Sequence, residues 1–438
     1  MSKLKVLVVG ASVAGPTAEY WLAKAGASVT VIERFPELRR GGQNIDIRTF
    51  GVTVMRRMPG MEAAVRAKTT QLEGLSFVRP DGRPYGIIRP TGNPDEQSLV
   101  SEYEIFRDDL TKILFDLTKD NENIKYVFGE QVASIQQHEK GEEDDVGSSG
   151  PVTVEFTNGL PTSQYDLVVA CDGATSRTRA IGLGCGVRDH IHPTNCWGAQ
   201  FSLQKDLLEG SYVGKAHSAP GGLFVAIGPD PWSDGGNRGT LMAINPRPDK
   251  RDKRDNDVTL QPFREAQKQG DDALKRYVAR HFRGAAGWKT DEILQEMMRA
   301  PDFYASEVVQ VKTATLSKGR FVMVGDAGYA PGFTGGGTTL AMTGAYVLAG
   351  EMCKHRGDLA AGLEGYEERM RPIITDLRKV PPLVPTAMAP QTAWGLWLRN
   401  HIFAFIAWSR LLEFAQKYFA SAFASRDESA LPDYEWVA

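Results

Sequence analysis

The 438-residue sequence predicts an α/β fold in which a parallel, nucleotide-binding type of sheet is interrupted by a mostly antiparallel sheet and followed by a C-terminal helix. Three observations carry this expectation. An apolar run over residues 4–9 stops at Gly10 and leads through a tight turn into helical spacing over 13–25 and a second strand over 27–34. That is the β-α-β order of a dinucleotide unit. Two further apolar runs, in YDLVVACDGATSRTR (165–179) and GRFVMVGDAG (319–328), end in Asp-Gly and Gly-Asp turns. From 195 to 247 the short runs CWGAQFSL, GLFVAIG and GTLMAIN are separated by Gly, Pro and Asn, the patterning of an antiparallel sheet.

The remaining elements follow in order. Residues 103–118 place apolar side chains at helical spacing, so one helix is expected there, carrying Arg107. Strands are expected at 124–128, 131–136 and 152–157, the last closed by the turn pair Asn158-Gly159. The acidic, Gly- and Ser-containing segment 139–150 and the charge-balanced segment 245–257 read as solvated loops. A loop is also expected around His190 and His192. A helix begins near 338, and after VPPLVP (380–385) an aromatic-rich helix spans roughly 392–423. Its Trp394, Trp397 and Trp408 are expected to pack the helix rather than cage a ligand. The nucleotide-binding domain is therefore expected over 1–70, 99–180 and 300–380, a substrate domain over 71–98 and 181–299, and a C-terminal helical segment over 381–438.

Composition excludes several functions. A net charge of −3, with Lys and Arg dispersed, provides no field for nucleic acid. Cys171, Cys185, Cys196 and Cys353 show no CxxC or zinc-type spacing, so neither a metal site nor a disulfide framework is expected. The N-terminus lacks the apolar core of a signal peptide, and IFAFIAW (402–408) is far too short to span a bilayer. A cytoplasmic protein, monomer or homodimer, is expected.

The first turn reads as a variant fingerprint. Gly10 supplies the tight turn and Gly15 the close helix–strand packing, while Ser12 replaces the glycine that approaches pyrophosphate. Serine is a mild change there, because its hydroxyl can itself donate to a phosphate oxygen. Pro16 falls in the first helical turn, where a missing N–H costs little. Glu33 ends the second strand, where an acid takes ribose hydroxyls and repels a 2′-phosphate, so the site favours FAD or NAD(H). Far along the chain, Gly325-Asp326 is followed by a Pro-Gly loop, the trio Gly335, Gly336 and Gly337, and a helix of small residues. Such a helix N-terminus stabilises negative charge on a flat anionic group.

Taken in order, the glycine turn, the RDDL helix arginine, CDGATSRTR and GDAG followed by GAYVLAGE resemble the class A flavin-dependent monooxygenases. This is the aromatic-hydroxylase superfamily with the para-hydroxybenzoate hydroxylase fold, and tetracycline-inactivating and fungal members look particularly similar. The resemblance covers nearly the whole chain. It implies a Rossmann-like domain binding FAD non-covalently and an inserted sheet domain that roofs the flavin. By it, Gly10, Ser12 and Gly15 would hold the pyrophosphate, and Glu33 with Arg34 the adenosine. Gly42 and Asp46 would neighbour the isoalloxazine, and Arg107 would reach the ribityl–phosphate part. Asp172 and Gly173 would serve FAD and nicotinamide use, and Asp326 with Gly335 to Gly337 would cradle ribitol and ring. The chain departs from the family in Gly328-Tyr329, where Ala-His is frequent, and in a Pro-Gly loop one residue shorter, which leaves the register of 331–335 open. Plainer alternatives stand beside these roles: an ion-pair partner for Arg107, a turn former for Asp172, a loop cap for Asp326.

The implied reaction consumes NADPH or NADH as a transient reductant and O₂, and delivers one oxygen atom through a flavin C4a-hydroperoxide to an aromatic or enolic, often polycyclic, substrate. Secondary metabolism or antibiotic inactivation is the expected setting. Baeyer–Villiger insertion on the same fold, an NAD-dependent dehydrogenase and a non-catalytic nucleotide-binding regulator are the alternatives. Gln200, polar in an otherwise apolar strand, is the candidate substrate contact, with a buried structural amide as its alternative. No general base is named, because the flavin carries the chemistry.

Overall fold

The computed structural model describes residues 3–39, 41–93, 100–137, 150–232, 236–245, 260–283, 285, 287–356, 358–379, 388–409 and 431–437. The loops expected at 139–150 and 245–257 and the VPPLVP run lie outside them, except residues 150 and 245.

The chain opens with β1 (Lys5–Val9), α1 (Ala14–Lys24) and β2 (Ser28–Glu33), then β3 (Asn44–Asp46) and the short helices α2 (Phe50–Arg56) and α3 (Met61–Arg66). The hairpin β4 (Gly74–Val78) and β5 (Pro84–Ile88) follows, then β6 (Glu104–Phe106) and α4 (Arg107–Asp116). Here the structure corrects the expected helix 103–118. Its first turn is instead a strand, because Asn44, Ile45 and Asp46 pair antiparallel with Phe106, Ile105 and Glu104, and Phe106 is extended at ψ 141°. Pairing with a distant strand overrides local periodicity, so α4 begins at Arg107 itself.

Next come β7 (Ile124–Phe128), β8 (Val132–Gln136), β9 (Val152–Phe156), β10 (Ser163–Tyr165), β11 (Leu167–Ala170) and α5 (Arg177–Leu183). The long β12 (Ile191–Leu203), β13 (Val213–Ala219), β14 (Leu223–Pro229) and β15 (Asn237–Ile244) precede α6 (Gln261–Lys268), α7 (Asp271–Phe282) and α8 (Thr290–Arg299). The chain continues with β16 (Tyr304–Val311), β17 (Ser317–Lys318), β18 (Phe321–Met323), α9 (Asp326–Tyr329), α10 (Gly337–Lys354), α11 (Leu359–Leu377) and α12 (Ala393–Trp408). His192 lies within β12 rather than in the expected loop, since it pairs with Gln310 of β16.

Two sheets organise these elements. The first has the order β17-β18-β11-β1-β2-β7 and is parallel from β18 to β7. It is covered on both faces, which is why its strands read as continuous apolar runs. Val6, Val8, Val29, Val31 and Val169 pack on α1 and α10, while Leu7, Val9, Ile32, Val168 and Phe321 pack on the small sheet β10-β9-β8. The second sheet has the order β16-β12-β15-β14-β13-β4-β5. Its strands alternate: Trp197, Ala199, Phe201, Val225, Ile227 and Leu241 pack on α6, α7 and α8, leaving Gly198, Gln200, Thr240 and Ala226 on the opposite face. The sheet takes in β16, beyond the boundary expected at residue 300, because Tyr304 to Val311 runs antiparallel to β12.

Helix α12 lies on that opposite face at the β5 edge, with Phe403 5.2 Å from Phe77. A Cβ on Gly86 would meet Ala407 Cβ at 2.6 Å, so this close approach requires glycine. Contrary to the packing expected of them, Trp394, Trp397 and Trp408 face outward, 70%, 55% and 80% exposed. Residues 431–437 return to the first domain, where Trp436 packs on Trp21 at 4.7 Å and Tyr434 donates to Glu351 at 2.8 Å. Among the described residues no helix is long and apolar enough to cross a membrane.

Candidate functional site

The site begins at the C-terminal ends of the parallel strands, where open α/β sheets bind ligands. Gly10 adopts φ +107°, and a Cβ there would lie 2.7 Å from the Cys171 carbonyl oxygen. The first turn therefore presses against the turn that follows β11. Gly15 is tighter still, since its Cβ would fall 1.8 Å from the Gly10 carbonyl oxygen. Glu33 sits at the end of β2, where one carboxylate oxygen accepts from Ala11 N–H at 2.9 Å and the other from Phe35 N–H at 3.1 Å. Arg34 lies with its guanidinium 4.7 Å over the Phe35 ring. Ser12 is partly buried in the bend before α1, whose free N–H groups favour an anion. Ser12→Gly should leave FAD affinity nearly unchanged, whereas Ser12→Val should weaken it about tenfold by crowding the turn. Fluorimetric FAD titration of the two apoproteins checks this, and equal affinities would place the pyrophosphate elsewhere.

Asp172 takes the turn-former arrangement. One carboxylate oxygen accepts from the Ser176 hydroxyl, the other from Thr178 N–H at 3.1 Å and the Thr178 hydroxyl at 2.9 Å, which braces the first turn of α5 beside its N-cap Ser176. Gly173 beside it adopts φ +85° with open space where a Cβ would point. Arg179, which sequence reasoning missed, is wholly buried and ties two turns together. It donates to Ala174 O at 3.0 Å, Val187 O at 2.7 Å and Ala327 O at 2.8 Å. The Asp-Gly turn is thereby fixed against the Gly-Asp turn.

Asp326 opens α9 after Gly325, which adopts φ +68°. Its carboxylate is exposed, yet burial among surrounding protein atoms raises its pKa, with the Arg107 charge opposing. This is how a side chain lining an enclosed cleft behaves. Arg107 faces the same cleft from the start of α4, and burial lowers its pKa while Tyr304 and Asp326 oppose that shift. Among the described residues neither the Asp326 carboxylate nor the Arg107 guanidinium makes a hydrogen bond. A Cβ on Gly42 would lie 3.3 Å from Arg107 Cβ, and one on Gly337 would lie 3.7 Å from Asp326 Oδ1. Gly335 adopts φ +74° over open space, and Gly336 caps the 18-residue α10. The Pro-Gly loop is pinned to β16 by Gln310 Nε2 donating to Pro331 O at 3.1 Å.

Tyr304 was also missed. It stands on β16 with the Arg39 guanidinium 4.0 Å and the Arg107 guanidinium 5.8 Å from its ring centroid. Burial pushes its phenol up, but a hydrogen bond with Ser306 and the two arginine charges outweigh that and leave it lowered. No local pattern could have announced this residue, because its environment comes from three distant segments.

Asp46 lies on β3 directly across from Glu104 on β6, and both point away from the core that holds Ile45 and Ile105. Arg48 pairs with Asp46 at 2.9 Å, and Asn44 donates to Glu104 at 2.7 Å. Burial first, then the Asp46 charge, pushes the Glu104 carboxyl up to about 7, against Asn44, Arg48 and Thr70. A raised folded-state pKa means that the folded protein holds this proton more tightly than the unfolded chain. The associated stability is full below the ordinary carboxylate pKa and is lost as pH rises through about 7. Glu104→Gln should therefore gain on the order of 1–3 kcal/mol over wild type between pH 5 and pH 8. Melting temperatures at the two pH values measure it, and a gap that does not widen with pH would refute the shift.

Gln200 stands on the face of the second sheet that looks away from α6, α7 and α8, opposite Thr240 and Tyr304. Its side-chain oxygen is buried with no hydrogen-bond partner among the described residues. The structure thus gathers Gly10, Ser12, Gly15, Glu33 and Arg34 at one end of the site and Gly42, Arg107, Asp326 and the glycine trio at the other. Gln200 lies above, and the Asp172 carboxylate is engaged with Ser176 and Thr178 at the start of α5. These residues fit a dinucleotide with a polyhydroxyl linker: a turn that admits no side chain at Gly10 and Gly15, a helix N-terminus, and a carboxylate and guanidinium without hydrogen bonds among the described residues.

Comparison with known proteins agrees. The FAD binding domain family matches residues 3–379. The FAD-dependent monooxygenase asL4 of Sarocladium schorii is 32% identical, covering 94% of each chain. Monooxygenase CTB7 of Cercospora beticola is 31% identical over 95% of this chain and 96% of its own. Among solved structures, tetracycline destructase Tet(55) superposes with a TM-score of 0.73 at 27% identity, covering 99% of both chains. The chain belongs to the FAD-binding-domain family and is a flavin-dependent monooxygenase.

Proposed function

We propose that this protein holds FAD across the cleft between the Gly10 turn and the Arg107–Asp326 pair, and inserts one atom of O₂ into an aromatic or enolic, polycyclic small molecule. The observation that carries this reading is the pair itself: a carboxylate and a guanidinium that make no hydrogen bond among the described residues and feel each other's charge, beneath a sheet that carries Gln200. FAD, once reduced by NADPH or NADH, supplies the activation of oxygen. The chain's own residues bind, orient and exclude water. The α1 N-terminus takes the pyrophosphate, Glu33 the adenosine ribose, and Asp326 a ribityl hydroxyl. The α10 N-terminus stabilises negative charge on the ring. The second sheet roofs the cleft, and Gln200 offers its unpaired oxygen to a substrate hydroxyl. The substrate class is supported by the tetracycline destructase named above. Incubating the FAD-loaded protein with NADPH or NADH and a panel of polycyclic phenols tests it. Substrate-stimulated consumption with a product one oxygen heavier is expected. Consumption that yields only hydrogen peroxide across the panel would overturn the reading.

A further inference from the structure

The roof face extends well beyond Gln200. Strand register places Gln200, Thr240, Ala226, Ala216 and Phe77 in one row across β12, β15, β14, β13 and β4. The row crosses four interstrand gaps, about 19 Å, and its central residues, Ala226 and Ala216, are small. Ser218 stands in the adjoining row, opposite Phe224. It is only 7% exposed, and its hydroxyl, like the Gln200 side-chain oxygen, is buried without a partner.

Helix α12 closes the far end of the row. From it, Arg399 reaches over Phe77, its guanidinium 5.2 Å from the ring centroid. The Arg399 Nε is buried without a hydrogen-bond partner, and no carboxylate among the described residues pairs with it. Burial lowers its pKa to about 10, with Tyr85 opposing, so it remains a cation at neutral pH. Contact with the Phe77 face offsets part of the cost of burying this charge. A partly buried cation without a counter-charge among the described residues remains incompletely compensated. An anion would supply the counter-charge.

We propose that Arg399 is a substrate-binding residue that pairs with an acidic oxygen, carboxylate or ionised phenol, at one end of an extended apolar substrate whose other end lies toward Gln200. The inference rests on the oxygenase reading, because it assigns the substrate to the same roof face. It makes Arg399 the residue that selects charged over neutral polycycles.

The test uses the full FAD-loaded chain and two probes, an anthracene carboxylate and the corresponding carboxamide, with binding followed by equilibrium dialysis. Wild type should prefer the carboxylate by on the order of ten- to a hundredfold. Arg399→Gln should bind both alike, and Arg399→Lys should keep part of the preference. FAD content and melting temperature, measured alongside, show that the variants are folded. Equal binding by wild type, a preference that survives in Arg399→Gln, or binding of neither probe would overturn the proposal. A protein that discriminates between the probes but oxygenates nothing would sink the oxygenase reading and leave Arg399's role standing. Oxygenation of neutral polycycles without discrimination would do the reverse.

Discussion

Gly15→Ala should yield protein that is destabilised and retains little or no flavin. The added methyl would sit 1.8 Å from the Gly10 carbonyl oxygen, far inside van der Waals contact. Side-chain rotation cannot relieve this, because both parties are backbone or Cβ. Either α1 withdraws from the turn or the turn opens. Withdrawal disturbs packing on Val6, Val8 and the α10 helix in the main core, at a cost of about 1–3 kcal/mol. Opening disturbs Gly10, which already touches the Cys171 carbonyl, and so moves the turn beside Asp172. Both routes displace the α1 N–H groups from the pyrophosphate position proposed above. The flavin-to-protein absorbance ratio and the melting temperature read the two effects separately. Wild-type values for both would contradict the tight turn described here.

Asp326→Ala should separate flavin binding from folding. The Asp326 carboxylate is exposed to the cleft and accepts no hydrogen bond among the described residues, so the apoprotein has little to lose with it. A ligand hydroxyl bonded to an ionised acceptor is worth about 1.5–3 kcal/mol, or roughly ten- to a hundredfold in affinity. Arg107 keeps the supporting charges of Tyr304 and Asp108 when Asp326 is removed. The expected result is an apoprotein of wild-type melting temperature whose FAD dissociation constant rises by that factor, with Asp326→Asn intermediate. An unchanged constant would return Asp326 to the plainer role of a loop cap.

The features legible in the sequence were those fixed by local chain geometry. Gly10, Gly15 and Gly325 mark turns that no side chain fits, and the parallel strands announce themselves because both faces are buried. The features that escaped are made by contacts between distant segments. Residues 103–106 carry a helical pattern, yet Glu104 to Phe106 pair with Asn44 to Asp46, which no window around them contains. The strands Val213–Ala219 and Tyr304–Val311 went unread, and so did α6, α7 and α8, although their apolar spacing is helical. Tyr304, Arg179 and Arg399 look unremarkable along the chain and become informative only through what surrounds them. The tryptophans of α12 failed in the opposite sense. Their aromatic density suggested packing, but α12 meets the sheet through Phe403 and Ala407 instead.

The central claim is that this chain directs one atom of dioxygen into a substrate held between the Asp326 cleft and the Gln200 face. Turnover of FAD-loaded enzyme with NADPH or NADH, a consumed polycyclic phenol and heavy-isotope dioxygen tests it most directly, by mass spectrometry of the product. One labelled oxygen atom per product molecule is expected, and none when the label is carried by water instead. A product that takes its oxygen from water, or that is oxidised without gaining oxygen, would contradict it.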